Sequence, residues 1–344
     1  MGRPMRLEPP GWWYGVLASD RLKAALLEPA GFLYGVAVKA RFARTKPYRS
    51  ALPVICIGNF TVGGAGKTPL ALAVAGLLKG LGRMPAFLTR GYGGRLTGPH
   101  KVEPGRNTAS DVGDEALLLA RAAPTVLARR RPDGAKAIEA LGADVIIMDD
   151  GFQNPSLVKD LSLIAVDART GLGNGRVFPA GPLRAPLAFQ TVRASAIVKI
   201  GAAANDGASI RHAELPVIEA SLEPAGETEW LRQQPVLAFS GIGRPGKFFE
   251  SLRGAGASII GERAFPDHHV FTDREADALL RGAGEAGALL VTTEKDWVRI
   301  PAQDGPLSRL KQAACAFPVR LQFAADGETQ LCALLQTLFP KMSR

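Results

Sequence analysis

The stretch Gly63-Gly-Ala-Gly-Lys-Thr68 combines small residues, a cation and a hydroxyl in an order that suits phosphate chemistry. It lies between the apolar run 54–57 and an apolar, helix-like segment, 70–74. A strand that enters a glycine-rich turn and then a helix directs successive backbone N–H groups at one point, where phosphate oxygens bind. We expect Lys67 to reach the terminal phosphates and Thr68 to offer its hydroxyl to Mg²⁺.

The loop departs from the strict phosphate-loop pattern at its start. That pattern has glycine at position 61, where this chain has Thr61, and related deviant loops usually carry lysine where Val62 stands. A glycine-rich loop that binds nothing is the simpler alternative, but the order strand, loop, Lys-Thr and helix favours a nucleotide site. The residues expected to bind the nucleotide are Thr61, Val62, Gly63, Gly64, Ala65, Gly66, Lys67 and Thr68.

Two adjacent carboxylates, Asp149 and Asp150, follow another apolar run at 144–148. A carboxylate at the end of an apolar strand near a phosphate loop typically holds Mg²⁺, directly or through water. The sequence Asp-Asp-Gly also favours a plain turn. Given the upstream loop, we expect Thr68, Asp149 and Asp150 to form a metal site.

Acidic residues and histidines elsewhere in the chain offer a base. His268 and His269 are two of the four histidines, and no cysteine nearby would complete a metal site with them. A loop histidine beside a carboxylate can remove a proton from a substrate hydroxyl. Asp111, Asp114 and Glu115 precede a helical pattern, where acidic residues are also common simply as helix caps.

Two segments suggest competing functions. The segment 241–246 matches the dinucleotide-binding fingerprint, and Glu262 follows at about the expected spacing, so a nicotinamide-dependent enzyme stays an alternative. The segment 292–296 is similar to a guanine-reading element, but its Lys295 and Asp296 are adjacent, which is the wrong spacing. A specific guanine site is therefore not supported.

The composition indicates a globular chain with room for two domains. It has 344 residues, of which 47% are hydrophobic and 22% charged, and a domain usually takes roughly 100–200 residues. The three cysteines are too few and too far apart for a disulfide framework or a zinc knuckle, which favours a reducing compartment. The net charge of +10 is concentrated in residues 1–50, with nine Lys/Arg against three Asp/Glu.

The basic N-terminal segment 1–45 also carries the aromatic clusters 12–14 and 32–34. This combination is typical of a surface that binds anionic lipid, and we expect no nucleic acid partner. Charged residues and Pro29 interrupt the segment, so its apolar stretches are too short to span a bilayer. The segment does not resemble a signal peptide. A helix is expected from about Ser19 to Pro29. The alternative is that the aromatic side chains cover a groove in the core.

Apolar strands alternate with helical patterns along the chain, which predicts an α/β protein with a parallel sheet of the P-loop NTPase type. The strands are expected at 54–57, 85–89, 125–127, 144–148 and 161–166, and the helices at 69–81, 114–122 and 133–141. The pattern restarts after a polar stretch near 224–235. We therefore expect a P-loop domain over 46–225 and a second, smaller α/β domain over 226–344 that closes the active-site cleft.

Seven segments, in order, resemble the tetraacyldisaccharide 4'-kinase family, the membrane-associated lipid A kinases of Gram-negative bacteria. The segments are Ile57–Pro69, Thr89–Gly94, Val112–Glu115, Asp149–Gln153, Phe178–Arg184, Phe265–His268 and Thr293–Asp296. The resemblance covers nearly the whole chain. The deviant phosphate loop of the family also accounts for Thr61.

The resemblance implies phosphorylation by ATP and Mg²⁺ of the 4'-hydroxyl of a tetraacylated glucosamine disaccharide 1-phosphate, the lipid A precursor. The product would be lipid IVA, made at the cytoplasmic face of the inner membrane by a peripheral, monotopic enzyme. By position, Lys67, Asp114 and His268 are the implied catalytic residues, and 46–225 is the kinase domain. Whether Asp111 or Asp114 is the carboxylate that pairs with His268 stays open.

One position departs from the family pattern. Many members have glutamate directly after the arginine that ends the segment 178–184, whereas this chain has Ala185. Any nucleotide or metal contact made by that glutamate is missing here.

A second function would use the same glycine-rich loop. In this alternative, the protein is an ATPase switch that acts on a protein partner.

Overall fold

The computed structural model describes residues 10–15, 17–201, 215–302 and 304–339. The described residues within Met1–Arg90, Ala128–Ser221 and Gln322–Arg344 form one compact unit, and those within Gly91–Leu127 and Leu222–Leu321 form the second. The contiguous segments 46–225 and 226–344 of the sequence analysis divide the chain at other residues, because the chain enters each unit more than once. Of the basic N-terminal segment, Arg3, Arg6 and Glu8 lie outside the described residues.

The strands are β1 (Val54–Gly58), β2 (Pro85–Thr89), β3 (His100–Lys101), β4 (Thr125–Leu127), β5 (Val145–Asp149), β6 (Leu161–Asp167), β7 (Ala196–Ile200), β8 (Val217–Pro224), β9 (Val236–Ser240), β10 (Ile259–Ala264), β11 (Leu289–Thr293), β12 (Ala314–Phe317) and β13 (Val319–Phe323). The helices are α1 (Ala18–Arg44), α2 (Lys67–Gly80), α3 (Ala109–Val112), α4 (Asp114–Ala122), α5 (Arg131–Glu139), α6 (Leu187–Thr191), α7 (Pro245–Gly254), α8 (Asp273–Ala286), α9 (Glu294–Arg299), α10 (Pro306–Ala313) and α11 (Gly327–Gln336).

The first unit is built on a parallel sheet in which six strands follow the order β8-β7-β6-β1-β5-β2. All residues of β1 are buried, and they are apolar apart from the terminal glycine. A continuous apolar run of this kind is typical of a central parallel strand, which is covered on both faces. The predicted fold class is confirmed, with β1 and α2 enclosing the glycine-rich loop.

The register of the sheet brings the two predicted site segments to one edge. In the parallel pairing of β1 with β5, Ile57 lies opposite Asp149. The glycine-rich loop follows β1 and the Asp149-Asp150 pair ends β5, so both leave the sheet at its carboxyl edge. Ligands of open α/β sheets bind at this edge.

The prediction that Pro29 ends the N-terminal helix is wrong, because α1 continues from Ala18 to Arg44 with Pro29 inside it. A proline removes one helical hydrogen bond and need not end a helix that packing stabilises. Here Gly31 packs closely against the carbonyl of Val177, and Gly35 against Pro186.

Two further results concern the N-terminal segment. Trp13 is buried, and its indole N–H donates to the carbonyl of Pro179 at 3.1 Å. This side chain therefore belongs to the core of the first unit and not to an exposed aromatic surface. Among the described helices, none has both the length and the hydropathy needed to cross a membrane.

The second unit contains a parallel sheet with the order β10-β9-β11-β12. Alternate residues of β9 enter different apolar clusters. Leu237 and Phe239 pack with residues of α8, whereas Val236 and Ala238 pack with residues of α7. Because successive side chains of a strand point to opposite faces, β9 is covered by one helix on each face. The second α/β domain was predicted, but its strand β12 was not.

Gly31 and Gly76 are both helical, but their surroundings predict opposite effects of alanine. A Cβ at Gly31 would lie 2.8 Å from the carbonyl oxygen of Val177, whereas one at Gly76 meets no described neighbour within 4 Å. We expect Gly31→Ala to lower the free energy of unfolding by about 1–3 kcal/mol, because the backbone must shift. Gly76→Ala should raise it by about 0.5–1 kcal/mol. Denaturant unfolding measures both, and equal signs would contradict the close packing of α1.

Candidate active site

The glycine-rich loop ends in a residue that only glycine can occupy comfortably. Gly66 caps the N-terminus of α2 with φ at 83°, in the left-handed region. A Cβ there would lie 2.7 Å from Cδ1 of Ile200. Lys67 and Thr68 follow this cap in the first turn of α2, where the free backbone N–H groups favour binding of an anion.

The start of the loop is held through backbone atoms, which explains why threonine is accepted at position 61. The carbonyl of Thr61 accepts a hydrogen bond from Asn59 Nδ2 at 2.6 Å and another from Arg184 Nε at 2.9 Å. The same Asn59 nitrogen also donates to the carbonyl of Gly63 at 3.1 Å. Thr61 does not have a left-handed φ, so glycine is not needed there.

Lys67 and Asp150 lie together, as the sequence predicts for neighbouring parts of one site. Lys67 Nζ is 3.7 Å from Asp150 Oδ1, and Arg184 Nη1 is 3.6 Å from the same oxygen. Partial desolvation acts to raise the pKa of Asp150, but the charges of Lys67 and Arg184, with a smaller effect from Arg131, lower it below its ordinary value. The carboxylate is thus held ionised between two cations that can also bind phosphate.

Asp149 is buried at the end of β5. Arg131 lies almost entirely inside the same unit, where burial lowers its pKa to about 10 while the charge of Asp149 opposes that change. The hydroxyl of Thr68 and the carboxylates of Asp149 and Asp150 are the oxygen ligands that Mg²⁺ prefers. The donor set of the first unit therefore fits a magnesium-nucleotide complex.

The second unit brings Asp114 and His268 together. Nδ1 of His268 is 3.1 Å from Oδ2 of Asp114, which lies at the start of α4 with its side chain buried. Because the ionised carboxylate can only accept a hydrogen bond, Nδ1 of His268 is the donor in this contact, and Nε2 remains for a second partner. The ring of Tyr92 contacts His268 edge-on, with centroids 6.0 Å apart.

Asp114 is ionised although it is buried. Burial would raise its pKa, but hydrogen bonds with Glu115 and His268 and the charge of Arg299 lower it well below the ordinary value. Glu115 behaves in the opposite way, because burial raises its pKa, with Lys295 acting against that change. Asp114 is therefore the more acidic of these two neighbouring carboxyl groups.

Asp111 has a different role from Asp114. Its Oδ2 accepts from the backbone N–H and the hydroxyl of Thr108 at 2.8 Å, which closes a capping box on α3. Its Oδ1 accepts from Arg95 at 2.7 Å. The Thr108 hydrogen bonds and Arg95 lower the pKa of Asp111 to about 2. Of the two candidates that the sequence left open, Asp114 is the one in contact with His268.

His269 is anchored away from this pair. Its Nε2 lies 2.9 Å from Oε2 of Glu275, and its ring stacks on Phe265 with centroids 4.8 Å apart. Glu275 in turn takes part in the capping box at Thr272. This histidine is structural.

The dinucleotide fingerprint is not supported by its contacts. The N–H of Gly241, which would face a pyrophosphate, donates to Oδ1 of Asp296 at 3.0 Å. Glu262, the expected ribose ligand, pairs with Arg253.

Ala185, where many members of the family have glutamate, is buried. Its carbonyl accepts a hydrogen bond from Gln190 Nε2 at 2.8 Å, and its side chain offers no carboxylate.

Arg184 and Arg299 contact site residues but were given no role from the sequence. Arg184 ends the segment 178–184, and a conspicuous arginine after a proline-rich loop was the available signal. Arg299 follows Asp296 by three residues in a short helix, the spacing of a same-face ion pair. Neither signal indicates which distant residue each arginine meets.

Residues 23–338 match the family model described as tetraacyldisaccharide-1-P 4'-kinase. The chain is 53% identical to the tetraacyldisaccharide 4'-kinase of Methylobacterium sp. (strain 4-46), over 96% of this chain and 97% of that protein. It is also 53% identical to the enzyme of the same name from Methylobacterium nodulans (strain LMG 21967 / CNCM I-2342 / ORS 2060), over 97% of each chain.

A solved structure agrees with these matches. The structure is similar to that of LpxK from Aquifex aeolicus in complex with ATP, with a TM-score of 0.71 and 26% sequence identity, over 92% of this chain and 99% of that one. The chain is therefore a kinase that belongs to the tetraacyldisaccharide-1-P 4'-kinase family.

Proposed function

We propose that this kinase transfers the γ-phosphoryl group of ATP to the 4'-hydroxyl of a tetraacylated glucosamine disaccharide 1-phosphate, which forms lipid IVA. The observation that supports this most is the 3.1 Å contact between His268 and the ionised Asp114. A phosphate loop alone suits any nucleotide hydrolase or switch. A neutral imidazole oriented by a carboxylate adds the base that activation of an alcohol acceptor calls for.

The nucleotide half of the reaction is assigned to Thr61–Thr68. Backbone N–H groups of the loop and the N-terminus of α2 would bind the phosphates, and Lys67 would neutralise charge on the transferring group. Thr68, Asp149 and Asp150 would hold Mg²⁺, which supplies further neutralisation of phosphate charge when bound. The 3.7 Å separation of Lys67 and Asp150 suits residues that share one polyphosphate.

The acceptor half is assigned to Asp114 and His268. Nε2 of His268 would take the proton of the 4'-hydroxyl as the oxygen attacks phosphorus. The Nδ1–H bond to Asp114 fixes the ring and stabilises the imidazolium that forms. In phosphoryl transfer such positioning and charge compensation account for most of the catalysis.

The helix α1 is proposed to dock the enzyme on the anionic surface of the inner membrane, at its cytoplasmic face. Ala24, Gly31, Gly35 and Val38 lie on its buried side. The opposite side exposes large apolar side chains at intervals of three, four and seven: Leu22, Leu26, Leu33 and Val36. A helix with an apolar side facing solvent and flanking Lys/Arg suits shallow binding to the headgroup region.

The phosphate-loop assignment is tested with Lys67→Ala. We expect kcat/KM to fall by a factor on the order of 10² or more, because the loop loses its cation for the transition state. Lys79→Ala, in the last turn of the same helix, is the matched control and should keep its activity. The assay uses ATP, Mg²⁺ and the disaccharide lipid, with mass analysis for one added phosphate. ATP hydrolysis with unmodified lipid would instead favour the ATPase switch.

The Asp114–His268 assignment predicts non-additive losses. Asp114→Asn and His268→Ala should each lower kcat by about 10²–10⁴, and the double variant should be little worse than either, since the two residues act as one unit. His269→Ala should lower the thermal stability, and its loss of kcat should be milder than that of His268→Ala. A double variant that shows the product of the two single losses would contradict a shared role.

The docking proposal is tested by charge on the exposed side of α1. Leu26→Glu with Leu33→Glu should reduce co-sedimentation with phosphatidylglycerol-containing vesicles by about tenfold or more. Activity on detergent-dispersed lipid should persist. Val192→Glu with Met84→Glu, at exposed apolar positions elsewhere in the first unit, is the control. High salt should weaken binding only partly, since the apolar contribution is not screened. Unchanged sedimentation of the α1 variant would refute the proposal.

A further inference from the structure

Arg299, at the end of α9, is a buried cation between two buried carboxylates. Its side chain is 6% exposed, and Nη2 lies 2.5 Å from Oδ2 of Asp114. Nη1 lies 2.7 Å from Oδ1 of Asp296 and donates to the carbonyl of Gly241 at 3.0 Å. Nη1 also donates to the carbonyl of His269 at 3.5 Å. The planar guanidinium thus spans two charged partners and two backbone oxygens through fixed directions.

Gly241 connects Arg299 to the histidine. The carbonyl that accepts from Arg299 also accepts the backbone N–H of His268 at 2.9 Å. His268 has φ at 55°, a left-handed conformation that persists only where the surroundings impose it. Arg299 therefore contacts the carboxylate of Asp114 on one side and the backbone anchor of His268 on the other.

Asp296 fixes the arginine in turn. Its side chain is fully buried. Its two oxygens accept from Ser240 Oγ at 3.1 Å, from the N–H of Gly241 at 3.0 Å and from Thr293 Oγ1 at 2.6 Å, besides Arg299. The Thr293 hydroxyl and the Asp296 backbone also cap α9. The orientation of Arg299 is consequently set by the end of β9 and the start of α9 together.

We propose that Arg299 is a positioning residue for the phosphoryl transfer: it holds the Asp114 carboxylate and the His268 backbone in the orientation at which their hydrogen bond forms. It acts through this pair and is assigned no contact with ATP or the reacting hydroxyl. The proposal rests on the role proposed above for Asp114 and His268.

The electrostatics around Asp114 agree with this role. Glu115, His268 and Arg299 face its carboxylate, Lys295 pairs with Glu115 at 3.1 Å, and Asp267 lies 3.7 Å from His268 Nε2. Arg299 is the permanent cation in direct contact with Asp114. A lysine at this position would keep the charge but present one nitrogen in place of the fork that reaches Asp114, Asp296 and Gly241 together.

The test uses Arg299→Lys and Arg299→Gln in the full chain, with steady-state kinetics. We expect Arg299→Lys to lower kcat about tenfold to a hundredfold through misplacement of the pair, with KM for ATP within about twofold of the wild type. Arg299→Gln should lower kcat further than Arg299→Lys, because Asp114 then loses the charge as well as the fork of hydrogen-bond donors.

Stability is measured alongside activity, because Arg299→Gln leaves two buried carboxylates without their cation. If that variant does not fold, Arg299→Lys and its kcat-to-KM split decide the question. Arg309→Gln is the matched control, since it removes an exposed arginine that pairs with Asp277 at 3.1 Å in the same unit. Its kcat should equal that of the wild type.

Coupling to Asp114 separates positioning from general support of the fold. In an Asp114→Asn background, Arg299→Lys should lower kcat by less than about twofold. A loss as large as in the wild-type background would overturn the proposal. Unchanged kcat in Asp114→Asn alone would refute the role of the pair. A lower kcat in Asp114→Asn, combined with full activity of Arg299→Lys, would refute the role of Arg299 only.

Discussion

Compensation of buried carboxylates is the constraint that shapes both units. Moving a carboxylate out of water costs several kcal/mol unless a cation and hydrogen bonds replace the lost hydration. In the second unit, Asp114 and Asp296 share one guanidinium, that of Arg299. The end of β9, the loop of His268 and the start of α4 and α9 all meet these three side chains. The local backbone arrangement follows from satisfying that cluster.

In the first unit, the carboxylate of Asp150 is compensated less completely. Asp150 stays partly exposed, and its two cations lie at 3.6 and 3.7 Å, beyond direct hydrogen-bond distance. Lys67 and Arg184 therefore act on Asp150 mainly through their charges. The dyad carboxylate, by contrast, is held at 2.5 Å by Arg299. In the proposed mechanism, a pair that transfers a proton needs fixed geometry, whereas phosphate ligands need room.

The sequence predicted the features that depend on neighbouring residues. The glycine-rich loop, the strands β1 and β5 to within one residue at their carboxyl ends, and the helices α2, α4 and α5 follow from local patterns. The resemblance placed His268 with one of two aspartates. It did not separate Asp111 from Asp114, because both precede a helix; the capping box at Thr108 makes that distinction. The continuation of α1 past Pro29 depends on tertiary packing, and the contacts of Arg299 join residues 185 positions apart. No local pattern encodes such contacts.

The backbone is strained at one residue of each candidate site. Among the described residues, the non-glycine residues with left-handed φ are Asp150 and His268. Such a conformation costs about 1–3 kcal/mol and is retained only where neighbouring interactions impose it. Glycine would relieve the strain at either position, but it would remove the carboxylate that faces Lys67 or the imidazole that faces Asp114. In the proposed mechanism, the chain keeps a strained residue where its side chain is required for chemistry. Before Asp150, the fully buried strand β5 supplies stability that offsets the strain.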